Sequence, residues 1–146
     1  MAIYTPNDYN FKHGWFSVQN TNHIVLKIQA CNDAHIALMT TPGVDSADTY
    51  EIVIGGWRNT KTVLRPSKGG KPMATALTRD ILSCDELRSF WISWYDKSIE
   101  IGSGNVYGMN RIIYYPDPNF HDVNAISYAT GWGSSAEWRL TVSEGM

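Results

Sequence analysis

The sequence has little charge and no concentration of charge in one place. Of its 146 residues 18% are charged, the formal net charge is −2, and lysine and arginine form no run. A nucleic-acid-binding surface needs a basic patch or stripe, so we expect no nucleic-acid partner. No apolar stretch approaches the roughly 20 residues that a membrane-spanning helix needs, so we expect no membrane span.

The first residues of the sequence lack both the basic start and the apolar segment of a secretory signal peptide. We therefore expect a protein that is cytoplasmic or that is secreted by a route without a signal peptide.

Cysteine is scarce. Cys31 and Cys84 are the two cysteines of the chain, and they could form at most one disulfide. A chain of this length can bury roughly two-thirds of its unfolded surface, so it requires neither a disulfide scaffold nor a metal for stability. Buried or free thiols are the interpretation we favour, and a single bond between the two stays open.

Helix signals are almost absent. The best is the Ser-x-x-Glu pattern from Ser83 to Glu86, which is typical of a helix start and predicts one turn over residues 85–89. Strand signals take the place of helices. Every second residue is apolar from Ile24 to Ala30, and residues 33–39 repeat the pattern with His35 on the face opposite Ile36. Alternation of this kind buries one face of a strand.

Further strands are predicted along the rest of the chain. Residues 50–57 and 60–65 indicate one hairpin, and residues 90–95 and 98–102 indicate another. Three more strands are predicted over 111–115, 125–130 and 137–142. Many short strands without intervening helices are typical of an antiparallel β-sandwich or jelly roll, so we predict an all-β fold forming a single domain over residues 1–146.

Four segments of the sequence together carry a resemblance to a known family. They are Ala30–Leu38, Tyr50–Trp57 with Asn59–Lys61 following, Phe90–Trp94 running on to Ile101–Gly104, and Gly131–Ser134 with Trp138. Over about residues 9–142 the chain resembles the invertebrate domain family named after farnesoic acid O-methyltransferase. The name of the family implies S-adenosylmethionine chemistry, whereas its occurrence in other invertebrate proteins implies an extracellular recognition module.

The segment Ile99–Asn105 is the one that could support a methyltransferase. It is similar to the glycine-rich strand end that cradles S-adenosylmethionine, but that site needs a helix directly after the glycines. Here residues 105–110 lead into another strand-like segment, and a third glycine is missing. We therefore predict a glycine-containing turn at this point, no cofactor, and a protein that is not an enzyme.

Asp33 and His35 are two residues apart and share one face of a predicted strand. They could supply two metal ligands, but a zinc site needs a third and a fourth. A structural hydrogen bond between histidine and carboxylate is the favoured interpretation, and contact with a ligand is an alternative. We expect no metal.

Aromatic residues are the unusual component, at 12% with six tryptophans and eight tyrosines. Sugars are bound where an aromatic face covers their C–H patch while planar polar groups bond their hydroxyls. Two segments offer both components, although each tryptophan could instead belong to the core. The predicted ligand-binding residues are Asp33, His35, Trp57, Arg58, Asn59, Lys61, Trp132, Ser134, Glu137 and Trp138.

The strand beginning at Phe90 is aromatic on both faces. Phe90 and Trp94 share one face, and Trp91 and Tyr95 share the other. One face belongs to the core, and an exposed aromatic stripe on the other would be an unusual apolar patch. We therefore expect a partner subunit to cover it, which makes the protein a homo-oligomer.

These observations predict a carbohydrate-binding, lectin-like module that recognises glycans through several weak sites at once. The alternative is a non-catalytic protein-interaction or structural module, in which the same aromatic residues form the core and an interface. A methyltransferase is the least favoured of the three.

Overall fold

The computed structural model describes residues 2–45 and 48–142, and in that part of the chain twelve strands form two antiparallel sheets. No helix in these ranges is long and apolar enough to cross a membrane. The strands are β1 (Ala2–Thr5), β2 (Trp15–Ser17), β3 (His23–Ala30), β4 (Ala34–Met39), β5 (Thr49–Gly55), β6 (Lys61–Arg65), β7 (Ala74–Leu77), β8 (Arg88–Ser93), β9 (Ser98–Ser103), β10 (Arg111–Pro116), β11 (Ala125–Thr130) and β12 (Ala136–Val142).

The two sheets face each other across one main hydrophobic core. The first sheet has the order β1-β12-β3-β8-β9-β10 and the second has the order β2-β11-β4-β5-β6-β7. Alternate residues of each inner strand enter the core, as Ile24, Leu26 and Ile28 do from β3. The predicted β-sandwich is therefore confirmed.

Three one-turn segments complete the described secondary structure. Phe11–His13 and Tyr95–Lys97 are 3₁₀ turns, and Gly56–Asn59 is a tight turn that joins β5 to β6. The helical turn predicted over residues 85–89 is wrong. The Ser83 hydroxyl accepts a hydrogen bond from the Asp85 amide two residues on, which makes a local turn, and β8 begins at Arg88.

The favoured interpretation of the two cysteines as buried or free thiols is also wrong, because Cys31 and Cys84 form the single disulfide that the sequence leaves open, with their Cα atoms 4.2 Å apart. The bond ties the turn between β3 and β4 to the segment that precedes β8.

The Trp91 part of the predicted outer aromatic face is covered by the chain itself. The Trp91 indole N–H donates to the Met109 carbonyl at 2.7 Å, and Tyr107 meets the indole edge-on with ring centroids 5.3 Å apart. The neighbouring strand makes room for the indole with Gly102, where a Cβ atom would overlap the Trp91 ring. Trp91 is therefore fully buried without a partner subunit, whereas Tyr95 lies in the turn after β8 and is 59% exposed.

Candidate functional site

A groove of about 390 Å³ lies on the outer face of the second sheet, at the end where β5 and β11 finish. Side chains from the outer faces of β4, β5 and β6 form its floor, and three turns form its rim. Its lining residues are Asn32, Asp33, His35, Val53, Trp57, Arg58, Arg65 and Trp132.

Glu51 lies beneath this groove on the outer face of β5 and is fully buried. Its Oε1 atom accepts hydrogen bonds from Arg65 Nη1 and from the Gly69 amide, both at 2.9 Å. Its Oε2 atom accepts from the Tyr9 hydroxyl at 2.5 Å and pairs with His35 Nδ1 at 2.8 Å. Four partners thus surround one carboxylate, which is the condition under which a buried charge is tolerated.

The titration of Glu51 reflects these contacts. Burial alone raises the pKa of a carboxyl group, but the hydrogen bonds from His35, Tyr9 and the Gly69 amide outweigh it and hold the pKa of Glu51 at about 2. Glu51 is therefore a fixed negative charge at physiological pH.

His35 links Glu51 to the floor of the groove. Its Nδ1 faces Glu51, and its Nε2 lies 3.6 Å from Asp33 Oδ1 with no hydrogen-bond partner. Burial lowers the pKa of His35, but the two carboxylates raise it more, so the net shift is upward. The structural hydrogen bond expected between His35 and a carboxylate is made with Glu51, whereas the Asp33 contact at 3.6 Å is too long for one.

Tyr9 and Trp132 pack on the same imidazole. The Trp132 ring is nearly parallel to the His35 ring at a centroid distance of 5.3 Å, and Tyr9 lies 5.0 Å from Trp132. Burial and the bond to Glu51 raise the pKa of Tyr9 well above its usual value. The hydroxyl therefore stays protonated and continues to donate to Glu51.

Trp57 lies on the rim in an unusual backbone conformation. Trp57, Arg58 and Asn59 are consecutive and have φ values of +50°, +61° and +62°. Bulky side chains rarely adopt this left-handed region, and each such residue costs on the order of 1–3 kcal/mol. The turn nevertheless leaves the Trp57 side chain 45% exposed, with Lys61 and Arg65 at 5.5 and 5.6 Å from its ring centroid.

Trp132 lies on a second strained turn, with φ of +50° and 64% exposure. The turn is held from two sides. The Asn7 side chain accepts from the Gly133 amide at 3.0 Å, and the Asn32 side chain donates to the Trp132 carbonyl at 3.3 Å. Asn32 follows the disulfide-bonded Cys31, so the covalent bond also restrains this side of the rim.

The structure brings together five of the predicted ligand-binding residues at the groove. They are Asp33, His35, Trp57, Arg58 and Trp132.

Two further predicted residues lie next to the groove without lining it. Lys61 sits beside the Trp57 ring. The Asn59 side chain pairs with both the amide and the carbonyl of Leu82, at 3.0 and 2.8 Å, so it fastens the turn and its amide is not free for a ligand.

The remaining three predicted residues lie elsewhere. Trp138 is a correction: its side chain is fully buried in the core and its indole N–H donates to the Thr5 hydroxyl at 2.9 Å. Ser134 is buried, and Glu137 is paired with Arg139 at 2.6 Å. Ser134 and Glu137 belong to a separate, shallower depression around the disulfide.

Sequence reasoning missed Tyr9, Glu51 and Arg65 as parts of the site. Glu51 and Arg65 are paired in register on β5 and β6 and form a cross-strand ion pair. The two-residue alternation of a strand could have revealed Glu51. Glu51 and Val53 share a face of β5, and Val53 pairs with His35 on β4. Tyr9 gave no such signal, because it reaches the sheet from a segment outside the strands.

Metal binding finds no support from the arrangement of ligands. Within residues 2–45 and 48–142, no group of three or more histidine, cysteine, aspartate or glutamate side chains is placed to hold an ion.

The model of one protein family, described as farnesoic acid O-methyl transferase, matches residues 7–144 of this chain. A Haliotis asinina protein named Uncharacterized protein 5 is 32% identical over 124 residues, which cover 85% of this chain and 70% of that protein. A BTB/POZ domain-containing protein of Arabidopsis thaliana is 33% identical over 75 residues, which cover 51% of this chain and only 9% of that protein.

Solved structures with a similar fold include both binding proteins and hydrolases. The carbohydrate-binding module CBM66 of Bacillus subtilis has a TM-score of 0.60 at 10% identity, covering 86% of this chain and 92% of that one. Sheep galectin-11 has a TM-score of 0.55 at 13% identity, and the match covers 93% of this chain and 95% of the galectin. A Bacillus licheniformis β-glucanase has a TM-score of 0.56 at 11% identity, and the match covers 90% of this chain and 69% of the glucanase. At these identities the likeness concerns the fold, which is a lectin-like sandwich.

Proposed function

This chain belongs to the farnesoic acid O-methyl transferase family, and we propose that it acts as a carbohydrate-binding module that holds a saccharide in the groove without reacting with it. The observation that carries the proposal is the pair of exposed indoles, Trp57 and Trp132, on strained turns that border a groove also lined by Asp33 and two arginines.

The spacing of the two turns that carry the indoles suits a sugar. Their turns follow β5 and β11, which are separated by β4, so the turns start about 10 Å apart at the usual spacing of neighbouring strands. Backbone strain is retained where the surrounding structure enforces it, and such positions cluster at ligand sites. An indole covers the C–H face of a sugar ring, and this contact requires that the indole stay exposed in the free protein.

The polar groups between the indoles match the hydroxyls of a sugar. Asp33 offers carboxylate acceptors, and Arg58 and Arg65 offer planar guanidinium donors. The fold adds support, since a carbohydrate-binding module and galectins share it.

Hydrolysis is less well supported than binding. A glycosidase uses two carboxyl groups beside the scissile bond, one of them protonated as an acid. Asp33 is the carboxylate that lines this groove, and Glu51 is buried beneath it with a pKa of about 2. A group that stays ionised and inaccessible cannot donate a proton to a leaving group.

The methyltransferase chemistry in the family description is also less well supported. Gly102 lies in β9, which pairs antiparallel with both β8 and β10. The turns at 104–110 then lead directly into β10. A cofactor-binding strand end of the kind suggested by Ile99–Asn105 has a helix at that place.

A glycan array tests the proposal. We expect the purified protein to bind a defined subset of glycans, and we expect Trp57→Ala and Trp132→Ala each to weaken binding of the strongest by about 10-fold or more, since a stacked ring contributes on the order of 1.5 kcal/mol. Titration calorimetry measures the loss, and circular dichroism checks that each variant keeps its β-sheet.

The matched control is Tyr114→Ala, which removes an exposed aromatic ring from β10 at the edge of the other sheet. It should leave affinity unchanged. A broad array without a single glycan hit would contradict the proposal and favour the protein-interaction module. Equal losses in Tyr114→Ala and Trp57→Ala would contradict the placement of the site.

A further inference from the structure

We propose that the groove selects acidic saccharides, in which a carboxylate or sulfate group is held by Arg58 and Lys61 while the ring stacks on Trp57. This inference rests on the proposed function and narrows the class of ligand. The argument starts from the balance of charges around the groove.

The acidic groups of the site are already matched within the protein. Glu51 is paired with Arg65 and His35. Asp33 accepts a hydrogen bond from the Asn32 side chain and lies 3.6 Å from His35. Each of these two carboxylates therefore has a partner within the protein other than Arg58 and Lys61.

The cations of the rim are not matched. Four arginines of the described chain lie within 3.1 Å of a carboxylate oxygen, namely Arg65, Arg88, Arg111 and Arg139. Within residues 2–45 and 48–142, by contrast, neither Arg58 nor Lys61 lies within 4.0 Å of a carboxylate. Both nevertheless belong to a chain whose net charge is −2. The rim thus carries two cations without a carboxylate partner, on a protein that is negative overall.

The backbone places both cationic residues at the rim beside Trp57. Arg58 is held at φ +61° and lines the groove, and Lys61 lies 5.5 Å from the centroid of the Trp57 ring. A guanidinium group binds a carboxylate or sulfate through two parallel hydrogen bonds. A saccharide stacked on Trp57 would therefore present an acidic substituent to donors that bind an anion more strongly than a neutral hydroxyl.

Paired probes with the same number of sugar units, one acidic and one uncharged, test this inference. Oligogalacturonates are compared with their methyl esters, and a sulfated neutral oligosaccharide with its unsulfated parent. We expect each acidic probe to bind about 10- to 100-fold more tightly than its uncharged partner, the range that one or two charge-assisted hydrogen bonds provide. The two pairs show whether carboxylates, sulfates or both are accepted.

Two variants connect the preference to the rim. Arg58→Asn removes one cation, and asparagine tolerates the left-handed backbone at this position. Lys61→Gln removes the other cation and keeps a side chain of similar length. Each should weaken binding of the acidic probe more than binding of the uncharged probe, so that most of the preference is lost. Lys27→Gln, which removes an exposed lysine from β3 of the opposite sheet, is the control and should preserve the preference.

Either of two results would overturn the inference: uncharged probes that bind as tightly as acidic ones, or an Arg58→Asn variant that behaves like Lys27→Gln. In both cases saccharide binding itself stands if Trp57→Ala still weakens it. Failure of every probe, charged and uncharged, contradicts the inference and the proposed function together.

Discussion

Glu51 has more polar partners than any other groove residue named above, and the two sides of the site depend on it. Tyr9 comes to it from the N-terminal segment, His35 from β4 and Arg65 from β6. Because these groups also contact Trp132 or Trp57, a buried carboxylate helps to position both exposed indoles. Its role is therefore to organise the groove, and a ligand does not need to touch it.

Replacing this carboxylate should destabilise the protein. In Glu51→Gln the largely buried Arg65 guanidinium loses its ion pair, and breaking a buried pair from one side costs about 3 kcal/mol or more. Denaturant unfolding measures the loss. Glu100→Gln is the control, because it breaks the more exposed ion pair with Arg111 and should cost about 1 kcal/mol or less. Equal losses in the two variants would contradict the organising role of Glu51.

The pH dependence of stability, compared between wild type and Glu51→Gln, gives a further test. The pKa of Glu51 is lowered in the folded state, from 4.5 to about 2, so its stabilising contribution is complete above pH 4.5 and is lost as the pH falls toward 2. The pKa of His35 is raised, so its contribution is complete below pH 6.5 and declines as the pH rises through the folded value. The stability difference between wild type and Glu51→Gln should therefore shrink on acidification below pH 4.5. A difference that stays constant from pH 5 to pH 2 would contradict this.

Turns form the rim of the proposed binding groove, and strands form its floor. Asp33, Trp57 and Trp132 belong to three different turns at one end of the second sheet, and all three have positive φ. Such turns do not hold their conformation alone. The Asn59–Leu82 pairing, the Asn7 contact and the disulfide restrain them from outside.

The disulfide prediction is measured on the intact protein. Denatured but unreduced protein should expose no thiol to an alkylating reagent, because Cys31 and Cys84 are bonded. Since the bond joins residues 53 apart in the sequence, the Cys31→Ser/Cys84→Ser variant should lose about 2–4 kcal/mol of stability. Two reactive thiols in the wild-type protein would show this account of the turn to be mistaken.

The strands were predictable from sequence because alternation is a local signal. The prediction for residues 33–39 placed His35 on the face opposite Ile36, and β4 has this arrangement. The site was predictable only in part. Trp57 and Trp138 look alike in the sequence, and only the packing of the two sheets makes the first exposed and the second buried. Tyr9 reaches Glu51 across 42 residues, a contact that no local pattern encodes.

The whole sandwich separates stability from binding. Its main core lies between the sheets, whereas the groove lies on the outer face of the second sheet. Substitutions at the rim can therefore change affinity without unfolding the protein. The segment 104–110 partly closes the outer face of the first sheet. It covers Trp91 of β8, which therefore needs no second copy of the chain for its burial.

The groove is tested most directly by the indole N–H signals of the six tryptophans in a ¹H–¹⁵N spectrum, recorded during titration with neutral and acidic oligosaccharides. Binding in the groove predicts shifts for Trp57 and Trp132, which are exposed there, and stable signals for the buried Trp91 and Trp138. No movement of the Trp57 and Trp132 signals with any oligosaccharide, or shifts confined to Trp15, would contradict the account.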